Sequence, residues 1–142
     1  MHIADKLKNI CDTNRWSFDY GRRDYQNLND FNTDAALPEN IHMLLDPVVI
    51  TDKRNNDTGA LESTTYNGAF FFCVKAELDT SYNEKFENYI KPLKEKIDTL
   101  ITTNLNACSE YEIVGWKLTE VIDVFDTNVS GYIVEFEIKN DN

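Results

Sequence analysis

Apolar residues at Ile3, Leu7, Ile10 and Cys11 recur at i, i+4, i+7 and i+8, which sets them on one side of a short amphipathic helix over residues 3–13. Asp12-Thr13-Asn14, whose side chains compete for backbone hydrogen bonds, end it. Trp16-Ser17-Phe18-Asp19-Tyr20 then alternates aromatic with small polar residues in period two before Gly21, as a strand does. Residues 22–40 are mostly polar, and the scattered Tyr25, Leu28, Phe31 and Leu37 fit no period, so a long connection with room for a helical turn is expected there.

Residues 41–51 (IHMLLDPVVIT) are apolar and β-branched, but Pro47 removes a ladder donor, so this strand is expected to be bulged, interrupted or at an edge. Residues 69–78 carry the clearest strand pattern: Phe70, Phe72, Val74, Ala76 and Leu78 share one face, and Ala69, Phe71, Cys73, Lys75 and Glu77 the other. Between these strands lies the polar stretch 52–67 (DKRNNDTGALESTTYN), with Asn-Asn-Asp-Thr-Gly turn chemistry suited to the tip of an extended hairpin arm or to a mobile loop.

Ser81-Tyr82-Asn83-Glu84 fits the S-x-x-E capping box and announces a long helix. Phe86, Ile90, Leu93, Ile97, Leu100, Ile101 and Leu105 form its apolar stripe, with Lys, Glu and Asp opposite. Pro92 interrupts it, so either a kink or a helix proper that begins at Pro92 is expected. Two more period-two segments follow, Val114-Trp116-Leu118 and Tyr132-Val134-Phe136-Ile138, joined by a connection short enough for an antiparallel pair. The expected order is α-β-β-β-α-β-β in a single domain, residues 1–142: an α+β fold whose mostly antiparallel sheet is covered on one face by the long helix and the short N-terminal helix.

Composition narrows the function classes. With 14 Lys+Arg against 25 Asp+Glu, the net charge is −11, which argues against a surface that grips a phosphate backbone. No apolar run approaches the ~20 residues of a bilayer span, and the charged N-terminus lacks the greasy stretch of a signal peptide, so a soluble globular protein made in a cytoplasm is expected. The cysteines Cys11, Cys73 and Cys108 are odd in number and lack CxxC spacing, the usage of buried thiols and not of a disulfide framework or zinc site.

Motifs for chemistry are few. His2 and His42 are the only histidines and stand in no metal-ligand spacing, so no metal is expected. The five glycines are isolated, which leaves neither a phosphate-binding loop nor a nucleophile elbow, and no cofactor is expected. Pairing of Cys11 or Cys73 with His42 is formally open but needs a convergence in space that residue order does not show, and Cys73 falls in a hydrophobic strand where an inert buried thiol is the default. Acidic pairs such as Glu135/Glu137 read as the solvated face of a strand, and no catalytic residue is assigned. Two basic pairs, Arg22-Arg23 and Lys53-Arg54, stand out in an acidic chain as candidates for contact with an acidic patch on another subunit.

The short N-terminal helix, the hydrophobic-Pro-hydrophobic segment LLDPVVI, the polar arm, AFFFCVKAEL before one long helix, and the closing D-x-N-x-S-G-Y-I-V-E-F-E-I together make the chain resemble the tail terminator (tail-completion, minor tail) family of long-tailed bacteriophages and the related neck-ring subunits. The resemblance spans nearly the whole chain through pattern, with Pro92 and the long 24–40 connection as departures. It implies a non-enzymatic virion protein assembled in the host cytoplasm: a hexameric ring that caps the tail tube and meets the head-completion protein, with no membrane or sequence-specific nucleic-acid partner. Subunit contacts are then expected at Arg22, Arg23, Lys53, Arg54, Asp57 and Tyr66, and a carboxylate-lined channel would repel passing DNA. Two rivals are an acidic phage-encoded inhibitor that mimics nucleic-acid charge, and a small enzyme with two carboxylates in a deep pocket.

Overall fold

The computed structural model describes residues 2–20, 41–75, 82–105, 110–124 and 129–141. The 22–40 connection with Arg22 and Arg23, the end of the 69–78 strand, Ser81 of the capping box and Cys108 lie outside the described residues. The elements are helix α1 (Ile3–Asn14), strands β1 (Ser17–Tyr20), β2 (Ile41–Leu45), β3 (Val49–Arg54) and β4 (Leu61–Lys75), a helical run, and strands β5 (Tyr111–Val124) and β6 (Val129–Asp141). The helical run has four consecutive pieces: α2 (Tyr82–Lys85), a π-helical stretch (Phe86–Ile90), α3 (Lys91–Thr99) and a second π-helical stretch (Leu100–Leu105). The fold is α+β, with six strands in one sheet of order β1-β2-β4-β6-β5 and β3 beside β4. Among the described residues only β1 and β2 run parallel, and every other pair is antiparallel.

The strand expected over residues 41–51 is two strands, one more than the expected order contains. Pro47 has no N–H to give to a ladder, so pairing stops after Leu45, where the Asp46 N–H still reaches the Ala69 carbonyl at 3.0 Å. It resumes at Val49. β4, 15 residues long, hosts both in line along one edge: β2 against Phe70 to Val74 and β3 against Leu61 to Asn67. The polar arm is therefore the β3–β4 hairpin, and β4 starts at Leu61, eight residues before the apolar pattern begins at Ala69.

Local chemistry explains the helix ends. The His2 Nδ1 accepts the Ala4 N–H at 3.0 Å and caps α1. At the other end Arg15 adopts a left-handed conformation (φ 63°), and the Trp16 N–H returns to the Cys11 carbonyl at 2.8 Å. Pro92 stands in the first turn of α3, a position that tolerates a missing N–H. In a regular helix its ring would strike the carbonyl four residues back. The preceding turn is widened instead, with the Lys91 N–H bonded to the Phe86 carbonyl.

The main core lies between one face of the sheet and the helices. Ile41, Met43 and Leu45 of β2, Phe70, Phe72 and Val74 of β4, and Tyr132, Val134, Phe136 and Ile138 of β6 meet Ile3, Leu7 and Ile10 of α1 and Ile90, Leu93 and Ile97 of the helical run. Trp16 packs edge-on to Phe72 with ring centroids 4.9 Å apart, and each fully buried phenylalanine contributes roughly 2 kcal/mol of hydrophobic stabilisation. The opposite face of the sheet also holds buried apolar residues. Leu44, Phe71, Cys73 and Val129 form a second, smaller cluster with Val121 and Ile133 against it. The run Phe70-Phe71-Phe72-Cys73-Val74 is apolar at every position because the strand is buried on both sides there.

Candidate functional site

The hairpin arm is the most exposed part of the described chain. All six residues of β3 are exposed, including Val49 (65%) and Ile50 (49%), and Leu61 opens the returning strand. Its turn is built locally. The Asn55 side-chain oxygen accepts the Asp57 and Thr58 N–H groups at 2.9 and 3.0 Å, and Gly59 supplies a positive φ of 72°. The Arg54 guanidinium donates to the Gly59 carbonyl at 3.1 Å and lies 3.4 Å from the Asp52 carboxylate. Lys53 stands 3.8 Å from Glu62 on the facing strand. These exposed pairs contribute at most ~1 kcal/mol each, so the arm's shape rests on its ladder and turn.

Of the residues assigned to subunit contacts, Lys53, Arg54 and Asp57 come together on this arm. Tyr66 is elsewhere. It sits at the arm's base in the main core, with the His2 ring 5.1 Å away and edge-on. Burial pushes its phenol up, and Asp52, Asp5 and Glu110 push it the same way. Arg22 and Arg23 lie outside the described residues. Val49 and Ile50 on β3 and Val114 on β5 are apolar side chains left in solvent on edge strands, which the periodic pattern did not single out; the β-branched VVI after Pro47 was the available signal.

The structure brings one candidate nucleophile and base together. His42 of β2 lies directly opposite Cys73 of β4, both buried, on the face of the second cluster. Burial lowers the imidazole to about 4 and raises the thiol far above its ordinary range. A thiolate–imidazolium pair needs both shifts reversed, so the site holds a neutral thiol beside a neutral imidazole. Cys11 is raised to about 12 by burial and by Asp12, and its thiol lies 3.8 Å from the Met43 sulfur. It too is a packing residue.

Two concavities flank the helical run. A cleft of about 270 Å³ between the end of α1 and α3 is lined by Asn14, Trp16, Pro92 and Lys96, among others. A wider groove of about 580 Å³ runs between the helical run and β5–β6, floored by Phe86, Leu118 and Tyr132. Glu95 and Glu120 stand on it with Lys91 and Lys94, whose ammonium groups are 3.0 Å from Glu87 and 2.5 Å from Asp98. Among the described residues no group of three or more His, Cys, Asp or Glu is placed to hold a metal ion, and no helix is long and apolar enough to cross a membrane. No protein-family model matches the chain, and no curated protein matches it in sequence.

Proposed function

We propose that this chain is a structural virion subunit, a bacteriophage tail terminator or neck protein that forms a ring, closes the finished tail tube and joins it to the head. The observation that carries the reading is the arm: a hairpin whose outer strand is exposed at all six positions and bears two apolar side chains in water. Among the described residues nothing pairs with the far edge of β3, and apolar side chains in water on an open sheet edge mark a surface that another chain covers. A neighbouring subunit that covers it removes both costs, and head-to-tail contacts of this kind close into rings. In this reading the helical run is the long helix laid across one face of the sheet. The ring is a hexamer assembled in the host cytoplasm, and its partners are the tail-tube and head-completion proteins.

Negative-stain microscopy of particles assembled without this chain tests the proposal. Over-long or ragged tails, or heads and tails that fail to join, are the expected outcome; normal particles would overturn it. The net charge of −11 favours a second reading, an acidic inhibitor that mimics nucleic acid. That reading requires normal particles together with tight binding to a basic nucleic-acid-binding protein.

A further inference from the structure

We infer that the outer edge of β3 in one copy pairs antiparallel with the outer edge of the first residues of β5 in the next, so that the sheets of neighbouring subunits continue into one another. The inference rests on the ring reading above and names the contact that repeats around the ring. Among the described residues β3 pairs with β4 alone and β5 with β6 alone, so each leaves one edge of backbone donors and acceptors open. Both carry apolar side chains in solvent, Val49 and Ile50 on β3 and Val114 (52% exposed) on β5.

The register places these residues at one level of the sheet. Ile50 is opposite Tyr66, Tyr66 opposite Ile138, and Ile138 opposite Ile113, which makes a single apolar row across the core face from edge to edge. Each of the three intervening pairings is antiparallel, so β3 and β5 point in opposite directions. Two copies set side by side with the same face inward therefore bring β5 of one against β3 of the other in the antiparallel sense.

Charge selects the register. With Ile50 against Ile113 of the neighbour, Thr51 meets Glu112 and Asp52 meets Tyr111, Val49 lies beside the bulged Val114, and no like charges are opposed. A slip of one residue sets Asp52 against Glu112 and turns Ile50 away from the apolar row. The paired length is short by construction. Pro47 lies just before β3, and the bulge between Ile113 and Gly115 bends β5, so both strands leave the junction at the same end. There β1 occupies the adjoining lane beside β2, and the neighbour's β5 has to turn aside.

Cysteine pairing tests the contact. Thr51 and Glu112 are both exposed and become cross-strand partners, within reach of a disulfide. In a Cys108→Ser background, with Cys11 and Cys73 buried, mild oxidation of concentrated Thr51→Cys/Glu112→Cys protein should yield a ladder of dimers, trimers and larger species, and neither single variant should. Ile50→Lys, an exposed change that leaves the fold intact, should weaken self-association roughly tenfold in sedimentation of the same protein. No ladder from the double variant overturns the edge pairing. If rings still form, the ring reading stands without it. Dimers from Thr51→Cys alone would show two β3 edges pairing about a two-fold axis, which overturns both.

Discussion

The phenol of Tyr132, near the start of β6, donates a buried hydrogen bond to the main-chain carbonyl of Ile90, 42 residues away in sequence and 3.2 Å away in space. Ile90 closes the widened turn that precedes Pro92, where the α-helical ladder changes step. The bond thus ties the least regular point of the helical run to the central part of the sheet. Burial, with Glu120 and Asp98 nearby, pushes the phenol to about 12, so the donor keeps its proton throughout the neutral range.

Tyr132→Phe keeps the ring and removes the donor. It should lower unfolding stability by about 1 kcal/mol, measured by urea denaturation, with an unchanged slope. A loss confined to amide protection around Ile90 in hydrogen exchange would place the effect in the helical run.

His42 makes stability depend on pH. Burial depresses its folded pKa to about 4, below the ordinary 6.5, so the unfolded chain takes up a proton that the folded chain refuses. Its contribution is fully present above pH 6.5 and is lost as pH falls from 6.5 to 4, amounting to about 3 kcal/mol at 1.36 kcal/mol per unit. His42→Gln should flatten the stability curve over that window, and an unchanged slope would show that other groups dominate it.

Gly131 lies between Cys73 and Val121 on the neighbouring strands. A Cβ there would stand 2.1 Å from the Phe72 carbonyl oxygen and 2.7 Å from the Cys73 Cα, backbone atoms that cannot turn aside. Gly131→Ala should cost at least about 3 kcal/mol or abolish folding. Gly115→Ala is the control. Its Cβ meets Glu137 at an ordinary 3.5 Å, so thermal melting should separate the two variants clearly.

Arg15 is a non-glycine residue held at φ 63° to close α1. Arg15→Gly removes the left-handed penalty and should raise stability by up to about 1 kcal/mol, read as a higher melting temperature.

Much of the fold was legible where period and packing agree. β2, the second half of β4 and β6 alternate or run apolar because their faces are buried, and α1 shows its stripe because one side meets the sheet. The first half of β4 was hidden. Leu61 to Asn67 has mixed surroundings, some residues in water and some under cover, so its residue order carries no period although Ser63 to Asn67 pair on both edges. The arm was readable from its turn chemistry and its polarity. Its exposed apolar residues were not, since Val49 and Ile50 look like core in any window that holds Leu44 and Leu45. The opposition of His42 and Cys73 depends on strand register, which nothing local encodes.

The two π-helical stretches also bear on how such a chain changes length over generations. Removing one residue from a strand here turns every later side chain to the wrong face, so the sheet resists small deletions. A π turn already carries a longer hydrogen-bonded loop than the regular helix around it. Trimming a single residue inside residues 86–90 or 100–105 would let the ladder relax to ordinary α geometry while the greasy stripe beyond it keeps its heading. The helical run is where this architecture has slack, and relatives that differ by one residue there should still superpose on the sheet.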